Sequence, residues 1–236
     1  YNVRLLNVFK WLDRDDVPDN ILTFINEQNP DILCIQEYSN SANIDLKVYS
    51  HKYVLMEGKQ IKTAQAIFSK FPIIDQGNIE FPNSNNNVVY ADIKKGKDII
   101  RVYNMHLQSI KISPDVSELD EKNIDAIDQG KSQKLFNRIS KAFKQQQQQA
   151  EIIKEHKKDC PYPIIICGDM NNSAFSYVYR NIKGGLKDSF EEAGVGFGAT
   201  YKFRYYPARI DYIFADDTMK VKKFESFSDF ENSDHY

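Results

Sequence analysis

The sequence has almost no net charge, few cysteines and no long uninterrupted apolar run. Its 31 Lys and Arg stand against 33 Asp and Glu, a net charge of −2. No overall basic field therefore draws long nucleic acids to it, although a local basic patch would suffice for them. Cys34, Cys160 and Cys167 make an odd count without a CxxC pair. They read as buried free thiols, not as a disulfide framework or a thiolate metal site. No stretch is long and apolar enough to cross a membrane, and no signal peptide is recognisable.

What is present suits a globular chain with a large core. At 236 residues and 42% hydrophobic, one domain over residues 1–236 is expected, without linker or repeat. Tyr1 falls almost inside a strand-like run, and Tyr236 directly follows Ser233-Asp234-His235. Both ends look cut, which leaves room for targeting or anchoring segments outside this stretch.

Apolar runs and helical patterns interleave along the chain. Strands are expected over 3–8, 31–37, 64–70, 87–94, 98–107, 162–169, 209–216 and 221–227. A helix is expected over 18–28, with Pro18 in its first turn and Ile21, Leu22, Phe24 and Ile25 as its stripe. Asn29-Pro30 stops it. A long helix is expected over 131–158, where Leu135, Ile139, Ala142, Phe143, Ala150 and Ile153 recur at helical spacing. The glutamine run 145–149 reads as its solvated face. Residues 113–128 are acidic and precede the basic start of that helix, as a charged loop or as a lid. Mixed sheets with helices outside are the architecture this order predicts.

The run Ile164-Ile165-Ile166-Cys167 leads straight into Gly168-Asp169-Met170-Asn171. A strand buried on both faces thus ends on a carboxylate and an amide, as an ordinary turn or as a catalytic pair. Polar side chains recur at other strand ends. Asn7, Gln36-Glu37, Asn104 with His106, Asp211, and Asp234-His235 follow the same pattern. Singly, each has an ordinary explanation: Asn7 serves a backbone group, Glu37 a loop, His106 a half-buried contact. Asp211 between Ile210 and Tyr212 demands a partner or a job. Six such sites on one sheet edge converge in space, which turn chemistry does not explain.

In order, an Asn in the first run, "QE" closing the next strand, an "SK" strand, "H" after "YNM", "GDMN", "RIDYI" and "SDH" resemble the endonuclease/exonuclease/phosphatase superfamily. The likeness spans Asn7 to His235. It implies a deoxyribonuclease I-like four-layer α/β sandwich, two mixed β-sheets flanked by helices. The implied activity is a metal-dependent phosphoesterase, hydrolysing a phosphodiester or phosphomonoester by in-line attack of water. By position, Glu37 and Asn7 are implied as metal-site residues, with Asp234 beside them. Asp169 is implied to orient or deprotonate the water, and Asn171 to hold Asp169 or the phosphate. His235 is implied to hydrogen-bond the phosphoryl oxygens, oriented by Asp211, and His106 to be a second donor. The implied cofactor is Mg²⁺, with Mn²⁺ able to substitute.

The residue types suit that chemistry. Mg²⁺ prefers hard oxygen ligands, so Glu and Asn serve it better than His or Cys. An ordinary Asp, with a pKa of about 3.9, needs a raised pKa or a metal's field to act as more than an orienting group. Some departures stand out: Phe9 where some relatives carry an acid, Gln65 where many have Gly, and no evident acid partner for His106.

The expected partner is a phosphorylated substrate of open class, either nucleic acid or a lipid or small-molecule phosphodiester. No protein partner is expected. Loops 39–62, 111–130 and 172–206 would select it, with Tyr177, Arg180, Phe203, Arg204 and Tyr205 as candidate contacts. Alternatives are a nuclease specific for DNA or RNA and an inactive phosphate-binding module of the same fold. A dinuclear metallophosphatase is excluded by the absence of its DxH and GNH-like motifs. Similar bacterial proteins include some with transmembrane helices upstream, so membrane contact is expected only through an anchor outside this stretch.

Overall fold

The computed structural model describes residues 1–42, 44–57, 63–110, 129–203 and 206–236. Helix α1 (Val17–Gln28) buries Val17, Ile21 and Ile25, and ends at Asn29 in the left-handed conformation (φ 45°) that an Asn cap tolerates. Strands β1 (Ile32–Tyr38), β2 (His51–Glu57) and β3 (Thr63–Ser69) follow. They form an antiparallel sheet in the order β1-β3-β2. Next come β4 (Ile73–Glu80), β5 (Asn87–Lys95) and β6 (Asp98–His106). Helix α2 (Gln129–Lys158) then leads to β7 (Ile164–Asp169). The chain closes through α3 (Tyr177–Lys183), β8 (Lys187–Asp188), α4 (Ser189–Ala193) and β9 (Asp211–Ala215).

The second sheet has the order β4-β5-β6-β7-β9-β8. Its β6 and β7 run parallel, because a helix-containing crossover separates them, and its other pairs are antiparallel.

Alternation along the strands builds three apolar layers. Leu33, Ile35, Ala66 and Phe68 face α1. Ile67, Val89, Ala91 and Val102 fill the space between the sheets, joined by Cys34 and Ile165. Val88, Met105, Ile166 and Phe214 face outward against Ala150 and Ile153 of α2 and Val178 and Ile182 of α3. This is the four-layer sandwich, helix on sheet on sheet on helix. Cys34, Cys160 and Cys167 are free thiols. Gly168 is required where β7 meets β6, since a Cβ there would lie 2.1 Å from the Met105 carbonyl oxygen.

Several elements differ from expectation. Residues 3–8 are not a strand. Only Asn2 bridges Gln36, after which Arg4–Asn7 wind into a tight turn with φ values of 42°, 56°, 53° and 61°. Burial of Val3 and Leu6 beneath α1 holds that turn in place. Residues 221–227 carry no ladder, because β8 already pairs the free edge of β9. Their aromatics pack sideways instead, Phe224 against Phe190 and Phe227 against Phe24. β2, β4, α3 and α4 were not legible as elements; β4 is largely exposed and lacks an apolar alternation.

The glutamine run is not a solvated face throughout. Gln146 is 0% and Gln149 2% exposed, whereas Phe136 and Phe143 of the expected stripe are 66% and 46% exposed. The inner face of α2 meets loop backbone as well as apolar side chains, and amides satisfy that backbone where Phe cannot. The Leu135 side chain, the acidic stretch 113–128, Arg204 and Tyr205 lie outside the described residues. No helix among the described residues is long and apolar enough to cross a membrane.

Candidate active site

Pairing register assembles the site. The parallel β6–β7 pair sets His106 opposite Asp169, and the antiparallel β7–β9 pair sets Asp169 opposite Asp211. Three chemically capable side chains thus stand in a row on adjacent strands. β1 delivers Glu37 from the facing sheet. A register irregularity between Ile35 and Tyr38 and a left-handed φ of 51° at Glu37 turn it out of the ladder. The preceding Gln36 points inward and donates to Asn104, whose amide in turn holds the Ile35 and Ala66 carbonyls at 2.9 and 3.0 Å. Asn104 therefore fastens the two sheets together behind the site.

Asp169 is the centre of the cluster. Its Oδ1 accepts the Asn171 backbone N–H at 2.8 Å. Its Oδ2 accepts from Asn2 Nδ2 at 3.2 Å and lies 3.7 Å from both His106 Nε2 and His235 Nε2. Asn2 Nδ2 also reaches Glu37 Oε1 at 3.2 Å, and His106 Nε2 lies 3.7 Å from the same oxygen. His235 Nδ1 faces Asp211 Oδ2 at 2.9 Å. Thr200 Oγ1 accepts the Ile210 and Asp211 backbone N–H groups, fixing the entry to β9.

Burial and the neighbouring Asp211 charge push Asp169 up to about 6, against the opposing pull of His235 and His106. Burial alone would lower the His235 pKa, but Asp211 and Asp169 outweigh it and raise the imidazole to about 10. Burial likewise opposes ionisation of Asp211, yet His235 holds its carboxyl below the ordinary value. At neutral pH the site therefore presents an imidazolium–carboxylate pair beside a carboxylate of raised basicity.

Asn7 is not part of this cluster. Its amide donates to the Leu12 and Arg14 carbonyls, each at 2.9 Å, and its oxygen accepts the Leu12 N–H at 3.0 Å. With these bonds it shapes the loop before α1, and Asn2 takes the place beside Glu37. Both asparagines precede a valine, so local pattern does not separate them; the left-handed turn between them does. Asp234 borders the cleft and pairs with Arg4 Nη1 at 3.0 Å. Arg4 in turn stacks its guanidinium on Trp11, 4.4 Å from the ring centre.

The cleft over these groups has a volume of about 230 Å³ and is lined also by Arg4, Tyr201, Phe203 and Tyr206. Tyr177 and Arg180 do not border it. Both are exposed on α3, where Tyr177 donates to Glu151 and Arg180 lines a separate hollow with Lys154 and Lys157. Helical spacing explains the displacement: Val178, Tyr179 and Ile182 take the buried face of this short helix, which leaves Tyr177 and Arg180 outside. Arg204 lies outside the described residues.

Glu37, Asp169 and Asp234 open onto one cleft with the oxygen-rich donor set that a hard divalent cation requires. Ligand atoms of Asp169, Asp211 and His235 also lie within 4.8 Å of one another. The donor set fits such an ion.

Comparison with known proteins agrees with this architecture. The catalytic domain of human Nocturnin, in a structure with bound sulfate, superposes with a TM-score of 0.69 at 16% identity, covering 100% of this chain and 89% of that one. A humanized D. rerio TDP2 gives 0.68 at 16% identity, covering 100% and 93%. A Bacteroides thetaiotaomicron mannosyl-6-phosphatase gives 0.63 at 17% identity, covering 100% and 94%. At these identities the likeness is one of fold. No curated protein sequence matches the chain. The profile of the Endonuclease/Exonuclease/phosphatase family matches residues 1–235, and the chain belongs to that family.

Proposed function

We propose that this protein is a divalent-metal-dependent phosphoesterase. The observation that carries the reading is the arrangement around Asp169: a carboxylate with a pKa raised to about 6, 3.7 Å from an imidazole that Asp211 keeps protonated. A base and a cationic donor, side by side at the floor of a cleft, match the two demands of phosphoryl transfer to water.

In this reading Asp169 Oδ2 aligns the attacking water and takes its proton as oxygen bonds to phosphorus. The bond from phosphorus to the leaving oxygen breaks on the opposite side. The His235 Nε2–H donates to a non-bridging phosphoryl oxygen, where negative charge builds up, and Asp211 keeps that ring charged and aimed. His106 Nε2 faces the same space as a second donor. Glu37, with Asp234 beside it on the same cleft, would hold Mg²⁺, or Mn²⁺ in its place, while the Asn2 NH₂ steadies the Glu37 and Asp169 carboxylates. When bound, the ion offsets charge on the phosphoryl and leaving oxygens.

Tyr201, Phe203 and Tyr206 support a finer reading. A wall of three aromatic rings favours a substrate with a planar group next to its phosphate, which they would hold by stacking. The net charge of −2 disfavours a long duplex as that substrate.

The test is hydrolysis of bis-p-nitrophenyl phosphate with Mg²⁺, with Mn²⁺ and with EDTA. Turnover that depends on the metal and stops with EDTA supports the proposal. A protein that binds Mg²⁺ but hydrolyses no phosphoester would be the inactive module of the same fold.

A further inference from the structure

The five consecutive glutamines of α2 do not share one environment. Gln147 and Gln148 face solvent, while Gln146 and Gln149, one helical turn apart, point inward. A buried primary amide must find partners for two donors and an acceptor, or it destabilises the fold. Gln146 finds all of them. Its Nε2 donates to the Gln108 carbonyl at 2.7 Å and to the Asn171 carbonyl at 3.0 Å, and its Oε1 accepts from Asn172 Nδ2 at 2.7 Å. Two backbone carbonyls accept only from an NH₂ group, so the chemistry sets the orientation of this amide. Gln149 Oε1 accepts the Gln108 N–H at 2.9 Å.

These partners are the residues by which the chain leaves β6 and β7. Gln108 follows His106 by two positions, and Asn171 follows Asp169 by two. Asn171 is left-handed, with φ 51°, a conformation that a residue other than glycine keeps only where its surroundings enforce it. In that conformation its N–H meets Asp169 Oδ1 at 2.8 Å and its side chain donates to the Leu107 carbonyl at 3.0 Å. Its own carbonyl is then turned into the protein, where Gln146 receives it.

We infer that Gln146 is a positioning residue of the active site. It holds Asn171 left-handed, and through Asn171 it fixes the Asp169 carboxylate in its working orientation. The inference rests on the phosphoesterase reading for its kinetic consequence. It also makes a structural statement that can be measured without turnover.

Two substitutions separate its elements. Gln146→Leu fills similar space and removes all three bonds. Gln146→Glu keeps an acceptor for Asn172 but sets carboxylate oxygen against two carbonyls. Both should lower kcat about 10–100-fold with KM within about twofold of wild type, the size usual for groups that orient an active-site ligand. Gln148→Leu, on the exposed face, should leave both parameters unchanged. Amide hydrogen exchange over 170–173 should quicken in both Gln146 variants while β1 and β5 keep wild-type protection.

Wild-type kcat in both variants would overturn the inference, as would a rise in KM alone or unchanged exchange at 170–173. Exchange that quickens uniformly over the chain would also overturn it, since Gln146 would then serve only global stability. If wild type itself hydrolyses no phosphodiester, the phosphoesterase reading fails and the exchange measurement alone decides the role of Gln146.

Discussion

His106 and Asp169, 63 positions apart in the chain, are register partners in the parallel β6–β7 pair, with His106 Nε2 3.7 Å from Asp169 Oδ2. The crossover through α2 creates this relationship, because a parallel pair aligns the carboxyl ends of its strands and delivers both exits to one edge. β9, antiparallel to β7, adds Asp211 at its starting end. Sheet topology therefore builds the row His106, Asp169 and Asp211, and the loops beyond it supply His235 and the cleft walls.

The first prediction concerns pH. Asp169 must be ionised to accept a proton, so kcat/KM should fall about tenfold per unit below about 6. His235 must be protonated to donate, so activity should also fall above about 10. A divalent cation adds positive charge near Asp169 and should move the acid limb to lower pH. A pH–rate profile at two Mn²⁺ concentrations checks both limbs and the shift.

Asp211→Asn should lower activity by about 10²–10³-fold, as for removal of one stabilising donor, because it leaves His235 without its nearest charge partner at 2.9 Å. The alkaline limb should move to lower pH in the same variant. The pair also contributes stability: the share from the raised His235 pKa is complete below about 6.5 and is lost as pH rises through about 10. The share from the lowered Asp211 pKa is present above 3.8 and is lost as pH falls through its depressed folded value. Thermal unfolding across pH should show both losses in wild type; in Asp211→Asn the acid loss due to Asp211 should vanish and the alkaline loss should shrink, since Asp169 still faces His235.

Asn2 and Asn7 should separate cleanly. Asn2→Ala should weaken Mg²⁺ binding or turnover by about 10–100-fold, since its amide joins Glu37 to Asp169. Asn7→Ala should leave kinetics unchanged and lower stability by about 1–3 kcal/mol, the cost of leaving buried backbone groups unpaired. Calorimetric Mg²⁺ titration and denaturant unfolding measure the two effects.

Gly168→Ala should cost more than about 4 kcal/mol or prevent folding. The added Cβ would meet the Met105 carbonyl at 2.1 Å, and the residue adopts φ 128°. Expression yield and urea unfolding give the readout.

Much of this was legible in the sequence. β1, β6, β7 and β9 carry apolar runs with polar side chains at their ends, so the strands and the candidate residues Glu37, His106, Asp169, Asn171 and Asp211 that the structure brings together stand out in the sequence. The choice between Asn2 and Asn7 was not legible, because it depends on four left-handed residues whose conformation only burial of Val3 and Leu6 enforces. Phe224 and Phe227 imitate a strand but pack without a ladder. Gln146 imitates a solvated helix residue because its partners, the Gln108 and Asn171 carbonyls, belong to loops that helical periodicity does not encode. Tyr201 and Tyr206, which border the cleft, carry no local signal that distinguishes them from other surface tyrosines.

The central claim is that Asp169 acts as the base of a metal-dependent phosphoesterase. Its most direct test is single-turnover hydrolysis of bis-p-nitrophenyl phosphate by wild type and Asp169→Asn at saturating Mn²⁺. The account predicts metal-dependent cleavage by wild type and a loss of about 10³-fold or more in the variant, with its fold and thermal transition intact. Cleavage by Asp169→Asn at the wild-type rate would contradict it.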